Sequence, residues 1–177
     1  MSHTIRRATT DDAGALAELA AVTFPLACPP SSSPEDIAAH LANTLSEDHF
    51  RGYIADPDIT ILVLDSGERL NGYSLLVDRP ASDPDVASAL TLTPSVELSK
   101  CYVHPEHHGL GAAAELMHAS VRAAAEAGRA GIWLGVNSQN ARAIRFYGKS
   151  GFRKVGTKSF RLGSTVEHDF VLERALP

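Results

Sequence analysis

The sequence predicts a mixed α/β domain of six to seven strands flanked by four to five helices. Two patterns and one number predict it. β-prone apolar runs alternate with stretches of helical periodicity, and one run, Ile132-Trp133-Leu134-Gly135-Val136, is apolar nearly throughout, as in a strand covered on both faces. The length, 177 residues, suits one compact domain with a core of its own. The domain is expected to take in residues 1–177, since neither an internal repeat nor a linker divides the chain.

Ile5 to Ala8 reads as a short strand. Thr10 is the expected N-cap of a first helix carrying Leu16, Leu19, Ala20 and Phe24 at helical spacing, with Asp11 and Asp12 in its first turn. Pro25 and the Cys28-Pro29-Pro30-Ser31-Ser32-Ser33 stretch are expected to break it. Ser33-Pro34-Glu35-Asp36 then supplies a cap, a proline at the first helical position and acids for the dipole, for a helix to about Leu45. Ser46-Glu47-Asp48 starts a third, shorter one. Ile59 to Leu64 and Leu70 to Val77, separated by Asp65-Ser66-Gly67-Glu68-Arg69, read as an antiparallel hairpin. Asp78 to Pro94, rich in Pro, Asp and Ser, reads as a surface loop. Val96 to Val103 is a strand. Gly109 to Ala127 is a long helix whose Leu110, Ala113, Met117, Val121 and Ala124 trace one buried stripe, ended by Gly128. After the Ile132 strand come a helix from about Gln139 to Ser150 and two β-prone runs, Phe152 to Arg161 and Val166 to Glu173.

Composition excludes several classes. With 44% hydrophobic and 21% charged residues the chain lies well away from disorder. A formal charge of −5 opposes a sequence-independent nucleic-acid role, which needs a basic face. The charge is divided: residues 1–100 hold 6 Lys/Arg against 15 Asp/Glu, a balance of −9, and residues 101–177 hold 10 against 6, a balance of +4. Such asymmetry points to partners of opposite sign. Cys28 and Cys101 are far apart, so neither a disulfide framework nor a cysteine zinc cage is indicated. Met1 to Arg7 lacks the apolar stretch of a signal peptide, and no apolar run approaches the roughly 18 residues that span a bilayer. The chain is read as soluble and cytoplasmic, without a membrane partner.

Two segments carry chemistry. Val96 through Ala113 runs strand, tight loop, helix start, with Gly109-Leu110-Gly111 at the turn. Glycines let backbone approach a ligand, and the free N–H groups of a helix's first turn suit a phosphate. The segment has neither the Gly-Lys-Ser/Thr of a nucleotide P-loop nor a third glycine at the dinucleotide-fold spacing, and alone it reads first as a packing turn. About thirty residues on, Asn140-x-x-Ala143-x-x-x-Tyr147 places Asn140, Ala143, Ile144 and Tyr147 on one helical face and Arg142, Arg145 and Lys149 on another.

Together these segments resemble the acetyl-CoA loop and the following Asn/Tyr helix of the GNAT-type N-acetyltransferases. The family loop reads Gln/Arg-x-x-Gly-x-Gly/Ala; here it is His108-x-x-Gly111-x-Ala113, departing at the first position. Further stretches, among them Thr23-Phe24, Ser33-Pro34-Glu35-Asp36, His108-Gly109-Leu110-Gly111 and Ser159-Phe160-x-Leu162-Gly163, resemble the bacterial PaiA-type spermidine/spermine N-acetyltransferases. The resemblance implies a GNAT fold with a central twisted mixed sheet, acetyl-CoA as donor, no metal, and an amine acceptor, with a polyamine as the candidate. It also implies a cofactor site at Cys101, Tyr102, Val103, His108, Gly109, Leu110, Gly111, Ala112, Ala113, Asn140, Ala143, Tyr147 and Lys149. Small GNAT proteins often pair through sheet edges, which makes a homodimer an expectation.

Transfer to an aliphatic amine calls for a base, because at a pKa near 10.4 only about one amine in a few thousand is free at pH 7. The resemblance implies Glu97 as that base, acting through water, and Tyr147 as the acid that protonates the departing thiolate. Their plainer readings are a solvated strand glutamate and a packed tyrosine; for Asn140 it is a helix cap. Strict alternation puts Glu97, Ser99 and Cys101 on one strand face and Leu98, Lys100 and Tyr102 on the other. The resemblance instead implies a bulge that opens the strand for pantetheine. Phe24, Glu35, Asp36 and Glu97 are candidates for the acceptor wall, with Glu47 and Asp48 as further acids. His104, His107 and His108 form a cluster without a further ligand, and Cys101 reads as a small buried hydrophobe before a nucleophile. The alternatives kept open are a protein N-terminal or lysine acetyltransferase and a non-catalytic acyl-CoA-binding module.

Overall fold

The structure, a computed structural model, describes residues 2–177, with the backbone alone at 160 and 162. Seven strands, β1 (Thr4–Arg7), β2 (Ile59–Asp65), β3 (Leu70–Val77), β4 (Ser95–Val103), β5 (Gly131–Asn137), β6 (Arg153–Leu162) and β7 (Thr165–Ala175), form one sheet in the order β1-β2-β3-β4-β5-β7-β6. The β4–β5 junction is parallel, and the other neighbours run antiparallel. Six helices cover it: α1 (Ala13–Ala27), α2 (Pro34–Thr44), α3 (Glu47–Ala55), α4 (Pro84–Ala89), α5 (Ala112–Glu126) and α6 (Ala141–Lys149).

Strand alternation divides the core between two faces. On the front, Ile61, Val63, Tyr73 and Leu75 pack under α1–α3 with Leu16, Leu19, Phe24 and Phe50. Phe50 and Tyr73 are wholly buried and meet edge to face at 5.7 Å between ring centres; burying each ring contributes about 1.5–3 kcal/mol. On the back, Leu76, Leu98, Ile132, Leu134 and Val136 meet Met117 and Val121 of α5 and the inward side of α6.

Local differences from the sequence reading have physical causes. The chain enters α1 through a 3-10 turn (Thr10–Asp12) in which Asp12 accepts the Thr9 N–H at 2.7 Å and the Arg6 guanidinium at 2.8 and 2.9 Å. The cap therefore lies at Thr9, one residue before the expected Thr10. Pro25 does not end α1, which continues to Ala27; a proline near a helix end removes one N–H bond, and burial of Thr23 and Phe24 holds the rest. Ser33 and Ser46 cap α2 and α3 as their sequences predict, accepting from the N–H groups of Asp36 and His49. The expected surface loop at 78–94 contains α4, capped by Asp83, whose Val86 is fully buried against Trp133 and Val171. The expected helix at Gly109 begins three residues later, at Ala112, so Leu110 lies outside the buried stripe and is 70% exposed.

Candidate active site

The site begins with one unpaired residue in β4. Against β3 the register runs Val77↔Glu97 and Leu76↔Leu98, then resumes at Leu75↔Lys100, so Ser99 is extra. Cross-strand partners share a face, and Tyr73, Leu75 and Val77 alternate on the front. Glu97, Lys100 and Tyr102 therefore stand together on the front, while Leu98, Cys101 and Val103 turn to the back. Strict alternation had separated Glu97 from Lys100 and Tyr102; the bulge corrects it.

The second feature is an opening in the sheet. β4 and β5 pair over three positions only, from Ser95↔Gly131 to Glu97↔Trp133. Beyond these β4 follows β3 to Val103, and β5 follows β7 to the Asn137↔Asp169 pair. Glu97 stands at the last joined position, where the gap begins. Burial pushes its carboxyl up, and Lys100 and Lys158 pull it back. Burial pushes the Lys100 amine down, offset by Glu97; its Nζ donates to the carbonyl and hydroxyl of Ser99 at 3.3 and 3.4 Å. Phe24 is buried on the front side and stacks on His40 at 4.5 Å.

Tyr147 occupies the back. On α6 it packs with Phe146 and Phe152 at ring distances of 5.5 and 6.0 Å. Burial, with Cys101 and Tyr102 alongside, holds its phenol well above the usual range, so it is protonated at neutral pH. Cys101 is pushed by burial to about 12, which keeps it a thiol and argues against a nucleophile. Ala143, Ile144 and Tyr147 face the core and Arg142, Arg145 and Lys149 face solvent. Asn140 is the N-cap of α6, its Oδ1 accepting the Ala143 N–H at 3.1 Å.

The loop after β4 completes the frame. Gly109 and Gly111 hold φ of +80° and +79°, a region that side chains with a Cβ disfavour. Gly111 is the N-cap of α5 without a capping side chain, and the first bond of the helix runs from Glu115 N–H to the Gly111 carbonyl. The N–H groups of Ala112, Ala113 and Ala114 thus precede the intrahelical ladder. His108 turns back and donates from Nε2 to the Val103 carbonyl at 2.9 Å, tying the loop to β4. His104 accepts the Glu106 N–H at its Nδ1, and among the described residues no three His, Cys, Asp or Glu side chains converge as a metal site.

The acids expected at the acceptor wall are scattered. Glu35 is exposed, and Asp36 lies against the backbone of Gly163 in the β6–β7 turn. Glu47 and Asp48 pair with Arg51 on the exposed side of α3. The front face also presents Glu167 and Asp169 of β7, each 7% exposed, with Lys158 of β6 beside Asp169. These residues and Lys100 escaped the sequence reading. The one available signal was charged residues at alternate positions of a β-prone run, Glu167 and Asp169 among them.

A mixed sheet opened between its parallel central strands, with an uncapped helix start beside it, forms a cleft whose one end offers free N–H groups suited to an anion. Residues 17–152 match the acetyltransferase (GNAT) family. An uncharacterized N-acetyltransferase of Mycobacterium tuberculosis is 46% identical over 165 residues, covering 93% of this chain and 98% of its own. Among solved structures, the PaiA N-acetyltransferase of Thermoplasma acidophilum in complex with coenzyme A is similar, with a TM-score of 0.78 at 22% identity and 99% of each chain covered. YncA of Salmonella typhimurium with acetyl-CoA has a TM-score of 0.65 at 24% identity, covering 100% of this chain and 95% of its own. The chain belongs to the GNAT family. By that membership it is an N-acetyltransferase, and coenzyme A and acetyl-CoA are the molecules bound in the PaiA and YncA structures themselves.

Proposed function

We propose that the protein transfers acetyl directly to a primary amine of a cationic small molecule, a polyamine such as spermidine or spermine being the class its front face suits. One observation carries the reading: Glu97 in front and Tyr147 behind flank the gap between β4 and β5. In this reading the pyrophosphate of acetyl-CoA lies at the N–H groups that open α5, where the dipole favours negative charge. The pantetheine arm follows Cys101 to Val103, with Asn140 and Ala143 on its other side and Lys149 toward the phosphates. The amine nitrogen forms a bond to the thioester carbon as the carbon–sulfur bond breaks. Glu97 first takes the proton that turns the ammonium into the free amine; Tyr147 gives its proton to the departing sulfur, and the second proton that the nitrogen sheds as the amide forms restores the phenol. A carboxyl raised by burial is a better base than a solvated glutamate, and a phenol kept protonated is in the state an acid needs.

The reading is tested by CoA release from purified protein supplied with acetyl-CoA and a panel of spermidine, spermine, amino acids and N-terminal peptides. Turnover on the polyamines supports it. Turnover on peptides alone assigns a protein acceptor, and tight acetyl-CoA binding without turnover on any acceptor assigns a non-catalytic module.

A further inference from the structure

The front face holds one carboxylate whose contacts leave it incomplete. Asp169 is 7% exposed and stands opposite Asn137 of β5 and Lys158 of β6. Its Oδ2 forms an ion pair with Lys158 Nζ at 3.7 Å, beyond hydrogen-bond length, and among the described residues its Oδ1, shut from water, has no partner. Native proteins rarely leave a buried carboxylate oxygen without a donor, so the missing donor is a clue to a ligand.

Lys158 shows what that ligand resembles. Its stem lies over Gly135 of β5, where a Cβ would come within 2.6 Å of Cε and 3.4 Å of Asp169 Oδ2. The floor is bare at this one position between Trp133 and Asn137, and an alkyl chain ending in an ammonium lies across it. The charged groups facing the place are Glu97, Glu167 and Asp169 against Lys100 and Lys158, one more negative than positive.

We infer that Asp169 anchors a second cationic nitrogen of the acceptor, which displaces the Lys158 ammonium, lies over Gly135 and presents its reacting amine at Glu97. This rests on the amine-acceptor reading above. The register sets the span: four residues along β5 and two strand spacings separate the two backbones, about 13 Å by 10 Å, leaving on the order of 10 Å between the carboxylates after the side chains reach inward. An extended diamine or polyamine engages both ends of such a span, and a monoamine engages one.

The test uses the full chain with acetyl-CoA, a series of straight alkyl diamines from butane to decane length, and the monoamine matched to each. The expected result is a length optimum at which kcat/KM for the diamine exceeds that for its monoamine by about thirtyfold or more, a gap of the size lost when one partner of a buried charge pair is removed. Asp169→Asn should shrink that ratio to within about twofold, with the loss in KM, as expected for uniform binding energy. Lys158→Met should lower KM for the diamine, because the substrate no longer competes with a tethered ammonium, and a gain of this sign cannot come from structural damage. Equal use of diamines and monoamines by the natural chain, or an unchanged diamine KM in Lys158→Met, overturns the anchor while leaving an amine acetyltransferase. Acetyl-CoA binding with no amine acetylated overturns the amine reading and the anchor together.

Discussion

With Ser99 unpaired in the β3–β4 ladder, Glu97 and Lys100 share one face, and each bends the titration of the other. In the base role Glu97 acts only when deprotonated, so kcat/KM must fall as pH drops through its raised pKa. The Lys100 charge lowers that pKa. Removing it in Lys100→Met should therefore move the acidic limb of the pH profile to higher pH; an unmoved limb would separate Glu97 from the base. Tyr147→Phe should cut kcat by about a hundredfold or more while acetyl-CoA affinity is kept, since it removes the phenolic hydroxyl and leaves the packed ring in place. Tyr147 was legible because a helical face can be counted from spacing. Alternation alone separates Glu97 from Lys100, because a bulge changes strand phase by one residue; the bulge itself follows from the family resemblance, and only the register places it at Ser99. Asp169 and Lys158 were beyond reach for a related reason, since only the pairing of β5, β6 and β7 brings them to the front.

Elements followed their caps where a cap was local and departed where tertiary contact decided. Ser33 and Ser46 start α2 and α3 as the sequence reads, but α4 escaped because its six residues are too few for a period and only burial of Val86 fixes it. The stretch after it is held from afar. Glu173, fully buried on β7, accepts the N–H groups of Thr91 and Leu92 at 3.1 and 3.2 Å, the Thr91 hydroxyl, and Arg153 at 3.3 Å. Glu173→Ala strands these donors and should cost about 3 kcal/mol, read as a lower urea midpoint. The start of α5 departs from the sequence reading because two glycines at positive φ delay the helix to Ala112. Gly111→Ala should lower stability by about 1–2 kcal/mol from that conformation alone. Calorimetry should also find weaker acetyl-CoA binding, since the displaced turn re-aims the N–H groups proposed to hold its phosphates; unchanged affinity would place the phosphates elsewhere.

Across the whole molecule, the division of charge at residue 100 survives in altered form. Along the chain it points to partners of opposite sign. In the folded chain the front face takes Glu97 from the first part but Glu167 and Asp169 from the second, while Glu47 and Asp48 are paired with Arg51 elsewhere. Charge counted along a chain does not reveal which strands become neighbours. What the two parts share is the sheet, where they meet in three β4–β5 pairs and in the three β3–β4 pairs made by Cys101 to Val103. A ligand lying between β4 and β5 and on the start of α5 touches both parts, so its binding free energy opposes their separation. At a concentration one hundred times Kd, acetyl-CoA should add about 2.7 kcal/mol to stability. For a chain of this size that is a rise in Tm of about 5–10 °C. Hydrogen exchange should localise the gain to the open ends of β4 and β5 beyond Glu97 and Trp133. Protection confined to α5, with those ends exchanging as before, would mean that the cofactor rests on the loop without entering the opening.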